Sequence, residues 1–368
     1  MSKRIVISFV AVLLGALFVG VSYAKPLAPT IRIGVLTTSS GPLYFAGAVQ
    51  KAASKLAAED LFDDGVKTSL FYEEIGSADP KVAFRKLKAN DVDVVIGPID
   101  SASTKTVLQA NIKDPVSIIS ASQIADEIDG SVDGTNWIFR TATTISQDNN
   151  ALVELLARDK KSSVALVTGT DSYSLAARRT LAFGLTFSGV NNLSLFSMNE
   201  LKALRKTRPD VLVIATMEES VPFMNQMADW VDGVKKVYLI PGNMANYSMF
   251  PWVENLAGAQ GIAPTDAASS SFRSRLASAM DKPYLVNSSN SLVFALGKRI
   301  YDSIMLAGGV YRSGDSALGF RNRLAQAKAD NRLLFSADGY YRAQKYTIYR
   351  YGSEGLFAPV GIFERDTP

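Results

Sequence analysis

The pattern that most restricts this 368-residue chain is a short β-branched run followed by a span of helical spacing, repeated along most of its length. Ile31-Arg32-Ile33-Gly34-Val35-Leu36 reads as a buried strand, closed by the small polar loop Thr37-Thr38-Ser39-Ser40-Gly41-Pro42. A helix is predicted from near Ala46: Val49, Ala53, Leu56, Ala57 and Leu61 recur at helical spacing, while Lys51, Lys55 and Glu59 fall on other faces. Further strands are predicted at 69–72, 93–97 and 116–119, with a helix at 80–87. The pattern then starts again, with strands at 163–167, 210–215 and 236–240 and helices at about 175–185 and 221–231. Such alternation implies βαβ units and parallel sheets, and right-handed crossovers place helices on both faces. Strands covered on both faces are apolar nearly throughout, as these are. Beyond Gly261 the pattern changes to long helices at 291–306 and 318–327, then a turn at Ala337-Asp338-Gly339-Tyr340 and an alternating strand at 346–351.

The expected fold class is therefore α/β, with two successive doubly wound parallel-sheet units. The length supports two domains, each large enough for its own core.

The chain has no histidine and no cysteine. That excludes a histidine-based triad, a thiolate nucleophile, an iron–sulfur cluster and a disulfide, and it removes the commonest metal ligand. No cofactor and no metal are expected. Lys and Arg number 39 against 35 Asp and Glu, and two of the positives, Lys3 and Arg4, lie in a segment read as removed. So small an excess gives no footprint for nucleic acid or anionic membrane. Lys3-Arg4, the uncharged apolar stretch from Ile5 to Val21 and the small residues of Ser22-Tyr23-Ala24 form a secretory leader (residues 1–24), with cleavage expected after Ala24. The mature chain is expected in the periplasm.

Four segments carry a family resemblance: the first strand running into Ser40-Gly41-Pro42; Val94-Val95-Ile96-Gly97-Pro98 followed by Ser101 and Thr104; Asp171-Ser172-Tyr173-Ser174; and Phe335-Ser336-Ala337-Asp338-Gly339. In this order they resemble type I periplasmic binding proteins of the leucine/isoleucine/valine-binding class, the substrate-capturing subunits of ABC importers. The resemblance implies two lobes joined by three hinge crossings, near Arg140-Thr141, Ile262-Ala263 and Phe335–Asp338. The N-terminal lobe then takes residues 30–141 plus 264–335, and the C-terminal lobe 142–263 plus 336–368. Ligands of open doubly wound sheets sit beyond the carboxyl ends of the strands, so the interlobe cleft is the expected site.

The candidate ligand-binding residues follow those strand ends. Ser101 matches the family's serine that holds a ligand carboxylate; as an alternative it caps its own helix, and both roles are compatible. Ser120 and Ser122 follow the fourth strand, where the family presents another hydroxyl. Tyr44 and Phe45 read as an aromatic wall or as a staple on the next helix. Tyr173 matches a family tyrosine that faces the cleft, with a core aromatic as the alternative. Glu218 reads as an acceptor for a ligand ammonium or as an exposed helix-start glutamate. Asn243 lies in Pro241-Gly242-Asn243, where amino-acid-binding members place a carboxylate for the ammonium. This chain departs from them there.

The resemblance implies an importer subunit that captures a small polar or amphipathic solute, an amino acid or related carboxylate or amide. Its partners would be that solute and an ABC permease of the inner membrane, with the chain itself a monomer. A sensor of the same fold is the alternative within the family. An enzyme is not expected: adjacent pairs such as Asp63-Asp64 and Glu218-Glu219 do not converge on one site, and no Walker loop or zinc spacing is present.

Overall fold

Strands with two apolar faces cannot lie against water, and the apolar runs read above are buried inside sheets covered on both sides. The computed structural model describes residues 30–40, 43–124, 126, 128, 130–158, 162–216, 223, 226, 234, 236–242, 244, 257–265, 268–280, 291–327, 345–352 and 357–365. The leader, Gly41-Pro42, most of the predicted helix at 221–231 and the third crossing near Phe335–Asp338 lie outside the described residues.

The first unit runs β1 (Thr30–Thr37), α1 (Ala46–Asp63), β2 (Lys67–Glu74), α2 (Pro80–Ala89), β3 (Val94–Ile96), α3 (Ser101–Ala110) and β4 (Ser117–Ser120). A small hairpin, β5 (Ser131–Val132) and β6 (Thr135–Asn136), then leads into β7 (Ile138–Arg140). The second unit runs α4 (Ile145–Leu156), β8 (Val164–Thr168), α5 (Ser172–Phe187), β9 (Leu193–Ser197), α6 (Leu201–Thr207), β10 (Val211–Ala215), β11 (Lys236–Leu239) and β12 (Gln260–Pro264). Three helices follow, α7 (Ser270–Ala279), α8 (Ser291–Val310) and α9 (Ala317–Gln326), and then β13 (Lys345–Tyr351) and β14 (Phe357–Glu364).

The first sheet has the order β2-β1-β3-β4-β7 and is parallel throughout. The second, β14-β13-β12-β11-β10-β8-β9, is parallel from β9 to β12 and antiparallel at β13 and β14. Both units thus repeat one topology. The second strand pairs outside the first and the third pairs inside it, so the order reverses between β1 and β3 and again between β8 and β10. A crevice opens at such a reversal.

Packing assigns the helices. α7 and α8 lie against α1, and Ile33, Val35, Leu56, Leu61, Ile300 and Ile304 share one cluster. α4 lies against α5 and β12. The first sheet with α1–α3 and α7–α9 forms one lobe, and the second with α4–α6 the other. A second cluster is continuous across the lobes, running from Phe84, Leu87 and Ile118 through Ile124 and Ile145 to Leu181 and Val213. The chain passes from one lobe to the other after β7 and returns after β12.

Where β1 stops, its backbone needs partners. Gln50 of α1, 1% exposed, donates from Nε2 to the Leu36 carbonyl at 2.7 Å and accepts from the Thr38 amide at 3.0 Å. Gly47 lets α1 come close enough: its amide donates to the Thr38 carbonyl at 2.8 Å, and a Cβ there would stand 2.2 Å from Ser39 Oγ. Gln50→Leu preserves bulk but leaves a buried amide and a buried carbonyl unpaired. It is expected to cost about 2–4 kcal/mol, seen as a lower Tm. A variant as stable as the parent would show that these two groups find other partners.

Candidate ligand site between the lobes

The loop after β1 is held rigidly. Glu74, at the end of β2, accepts from the Ser39 amide at 2.7 Å, the Gly76 amide at 2.8 Å and the Thr37 hydroxyl at 3.2 Å. Burial works against its charge, but these donors outweigh burial and hold the carboxyl below its ordinary pKa. The loop presents the Thr38 and Ser40 hydroxyls, whose Oγ atoms are buried and have no hydrogen-bond partner among the described residues.

Two helices begin at the same place from opposite lobes. Gly97, at φ +93°, turns the chain out of β3 in a conformation that favours glycine. Asp100 then caps α3, accepting from the Ser103 amide at 2.7 Å. Ser101 is therefore the first residue of that helix and not its cap. Across the cleft Asp171 caps α5, accepting from the Ser174 amide at 2.9 Å. This cap starts α5 at Ser172, three residues before the predicted Leu175, and makes the buried Tyr173 its second residue.

Both helix starts open on a cavity of about 260 Å³, which α8 and the ends of the strands enclose. Its wall includes Thr38, Ser40, Phe45, Ile99 and Ser101 from one lobe and Asp171, Tyr173 and Gly242 from the other, with Arg299 of α8 and Asp148 of α4. Backbone amides at helix N-termini, few polar side chains and an apolar remainder make a site suited to a small anionic or polar molecule.

A hydrogen-bonded chain crosses the cleft at this wall. Asp148 is 2% exposed. It accepts from the Tyr346 hydroxyl at 3.0 Å, from the Thr143 side chain and from Gln123 Nε2. Tyr173 donates its hydroxyl to Gln123 Oε1 and accepts from the Gly242 amide at 3.2 Å. Burial pushes the Asp148 carboxyl up to about 7, against the pull of its donors and the Arg299 charge. Burial also raises the Tyr173 phenol, helped by the Asp148 charge.

Of the predicted residues, Phe45, Ser101, Ser122 and Tyr173 line the cavity. Tyr44 does not; it packs half-buried against the core beside α1, edge-on to Phe45 with ring centroids 6.4 Å apart. Nor does Ser120, which is fully buried and donates to the Pro98 carbonyl at 3.2 Å. Glu218 and Asn243 lie outside the described residues. Gln123, Thr143, Asp148 and Arg299 were not predicted. A signal for Asp148 existed: Thr144-Ile145-Ser146-Gln147 forms a capping box, which marks the start of α4 and puts Asp148 in its first turn.

The raised Asp148 carboxyl gives stability a pH dependence. The folded chain keeps a proton that the unfolded chain sheds near pH 4, so this contribution is complete below about pH 4 and is lost as pH rises to about 7. Between pH 5 and pH 8 it removes about 2–3 kcal/mol. Asp148→Asn should abolish that slope in Tm measured against pH. An unchanged slope would assign it to other groups.

A family model described as periplasmic binding protein matches residues 30–232, more than half of the chain. Among solved structures, the chain is similar to the branched-chain amino acid transporter substrate binding protein LivJ of Streptococcus pneumoniae in complex with isoleucine. Identity is 16%, 91% of this chain and 100% of that one are covered, and the TM-score is 0.73. A solute binding protein of an ABC transporter from Rhodopseudomonas palustris BisB5, in complex with 3,4-dihydroxy benzoic acid, is 14% identical over 91% and 97% of the two chains, with a TM-score of 0.72. Another from R. palustris, in complex with benzoate, is 16% identical over 90% and 96%, with a TM-score of 0.68. No curated protein matches the sequence significantly. The chain belongs to the periplasmic binding protein family, whose fold binds solutes and is not that of an enzyme.

Proposed function

We propose that this protein is the exported substrate-binding subunit of an ABC importer, which captures a small polar or amphipathic carboxylate or amide between its lobes and delivers it to an inner-membrane permease. The observation that carries this reading is the cavity of about 260 Å³ walled by both lobes at their strand ends, with the starts of α3 and α5 facing it. A site of that size, near the low end of small-molecule pockets, suits a ligand of amino-acid dimensions. The three similar structures hold isoleucine, 3,4-dihydroxy benzoic acid and benzoate, each a small carboxylate. Closure of two lobes over such a ligand is a population shift toward the form in which both sides touch it.

In this reading Ser101 and Ser122 hold the ligand's polar end, Phe45 and Tyr173 flank its body, and Glu218 and Asn243 adjoin it from the second lobe. The leader is cleaved after Ala24, and the mature monomer works in the periplasm. Its lobes divide at 30–141 plus 264–335 and 142–263 plus 336–368. Among the described residues no helix is long and apolar enough to cross a membrane.

Mass spectrometry of molecules released on denaturing the purified protein tests the reading directly, and the expected result is a small carboxylate or amide. Supplied at ~100 times its Kd, the same compound should stabilise the fold by about 2.7 kcal/mol. Ser101→Ala should weaken its binding about tenfold, the worth of one hydrogen bond to a charged group. A correctly folded protein that releases no solute and that no solute stabilises would overturn the proposal.

A further inference from the structure

The polar chain at the cavity wall joins groups that belong to different lobes. Gln123 follows β4 of the first sheet, whereas Asp148 and Tyr173 stand in the first turns of α4 and α5 on the second. One side-chain amide serves both. Its Nε2 donates to Asp148 Oδ2 and its Oε1 accepts from the Tyr173 hydroxyl. Each end is anchored further within the second lobe: Asp148 by Tyr346 of β13 at 3.0 Å, and Tyr173 by the Gly242 amide, beyond β11, at 3.2 Å. Gln123 Nε2 also lies 3.4 Å from the carbonyl of Thr144, the cap of α4. The first lobe thus reaches the second through this amide, whose donor and acceptor are both engaged, and beside it through Asp126, which accepts from the Ser146 amide at 3.0 Å and hydroxyl at 2.7 Å in α4.

We propose that Gln123 is a positioning residue that clasps the two lobes together over the cavity, by bridging Asp148 and Tyr173 through its side-chain amide. Three features favour a clasp over a passive wall contact. A side-chain amide donates to a carboxylate with one atom while it accepts from a phenol with the other. Asp148 and Tyr173 are buried, with Gln123 half-buried between them, and buried polar groups left unpaired are costly. The direction of each bond is also fixed, since Asp148 collects hydroxyl and amide donors and Tyr173 already accepts from Gly242. The charged groups acting on the clasp are Arg299, which attracts Asp148, and Asp171 and Asp126, which act on Tyr173 together with Asp148. Every member is a protein group. The clasp therefore acts on the resting balance of open and closed forms, whatever solute the cavity takes.

Reversing the polarity of the bond tests this. Gln123→Glu sets two carboxyl groups against each other, and combining it with Asp148→Asn restores an amide–carboxylate pair in the opposite sense while Tyr173 still has an acceptor. The chain has no cysteine, so Arg85→Cys on α2 and Thr186→Cys on α5, both exposed, provide unique spin-label sites on the two lobes. Distances between them are measured by pulsed electron resonance on protein refolded free of small molecules. Gln123→Glu should shift the distribution to longer separations, and the double variant should bring it back. Tyr173→Phe, which removes only the hydroxyl, should lengthen it as well and serves as the deciding variant if Gln123→Glu does not fold. Unchanged distances in Tyr173→Phe, or a double variant as open as a folded Gln123→Glu, would overturn the proposal. Either result leaves the solute-binding reading untouched, because no ligand enters the measurement.

Discussion

A parallel strand that stops between diverging neighbours leaves its last amides and carbonyls without a ladder, and buried backbone groups must be paired. The whole arrangement at the cleft answers to that constraint. At β1 the pairing falls to Gln50 and Glu74, which fasten Leu36, Thr38, Ser39 and Gly76. Asn111 does the same where β4 begins, donating to the Val116 carbonyl and accepting from its amide, both at 2.9 Å. Asp93 and Asp210 take up the amides of Arg32 and Ser163 at the opposite ends of their sheets. Side chains that do this are fixed by what they hold. The loops at the cleft are therefore set by the sheets, and the ligand wall inherits their rigidity.

Much of this was legible in the sequence because periodicity records burial. The stripe Val49, Ala53, Leu56, Ala57 and Leu61 is buried on α1, and the apolar runs at Ile31–Leu36 and 94–96 are interior strands. Strand ends also pointed to Phe45, Ser101, Ser122 and Tyr173. What stayed hidden followed different physics. β9, at the sheet's edge, carries an exposed Leu195 between the half-buried Ser194 and the buried Phe196, so it lacks the unbroken burial that marked the interior strands. The β5–β6 hairpin is too short to show any period. Thr143, Asp148 and Arg299 come together from a crossing and two helices, and nothing local in the sequence ties Arg299 to Asp148. Tyr44 and Phe45 looked equivalent; only the start of α1 decides that one ring enters the cavity and the other lies along the core.

The lobes meet in two ways. On one flank the contact is apolar and continuous, running through Ile124 and Ile145 from the first core into the second. Such contact is non-directional and tolerates small rotations. Adjoining it are the fixed bonds of Gln123 with Asp148 and Tyr173 and of Asp126 with Ser146. A hinge needs both kinds of contact: one surface that yields without losing its burial, and one that is satisfied in a single geometry.

The charges around the cavity bear on what it accepts. Two helix starts facing one space would favour an anion, yet each carries its own carboxylate cap, Asp100 on α3 and Asp171 on α5. These caps lie within the first turn, where the helix dipole acts, and they offset much of its field. Any attraction for an anion therefore rests on directed groups: the amides at the start of each helix, the Thr38 and Ser40 hydroxyls and the Arg299 cation. Asp148 is the variable member. Ionised, it offsets the Arg299 charge; protonated, it does not. With its carboxyl poised at about 7, the charge that the cavity shows a solute depends on whether Asp148 keeps its proton.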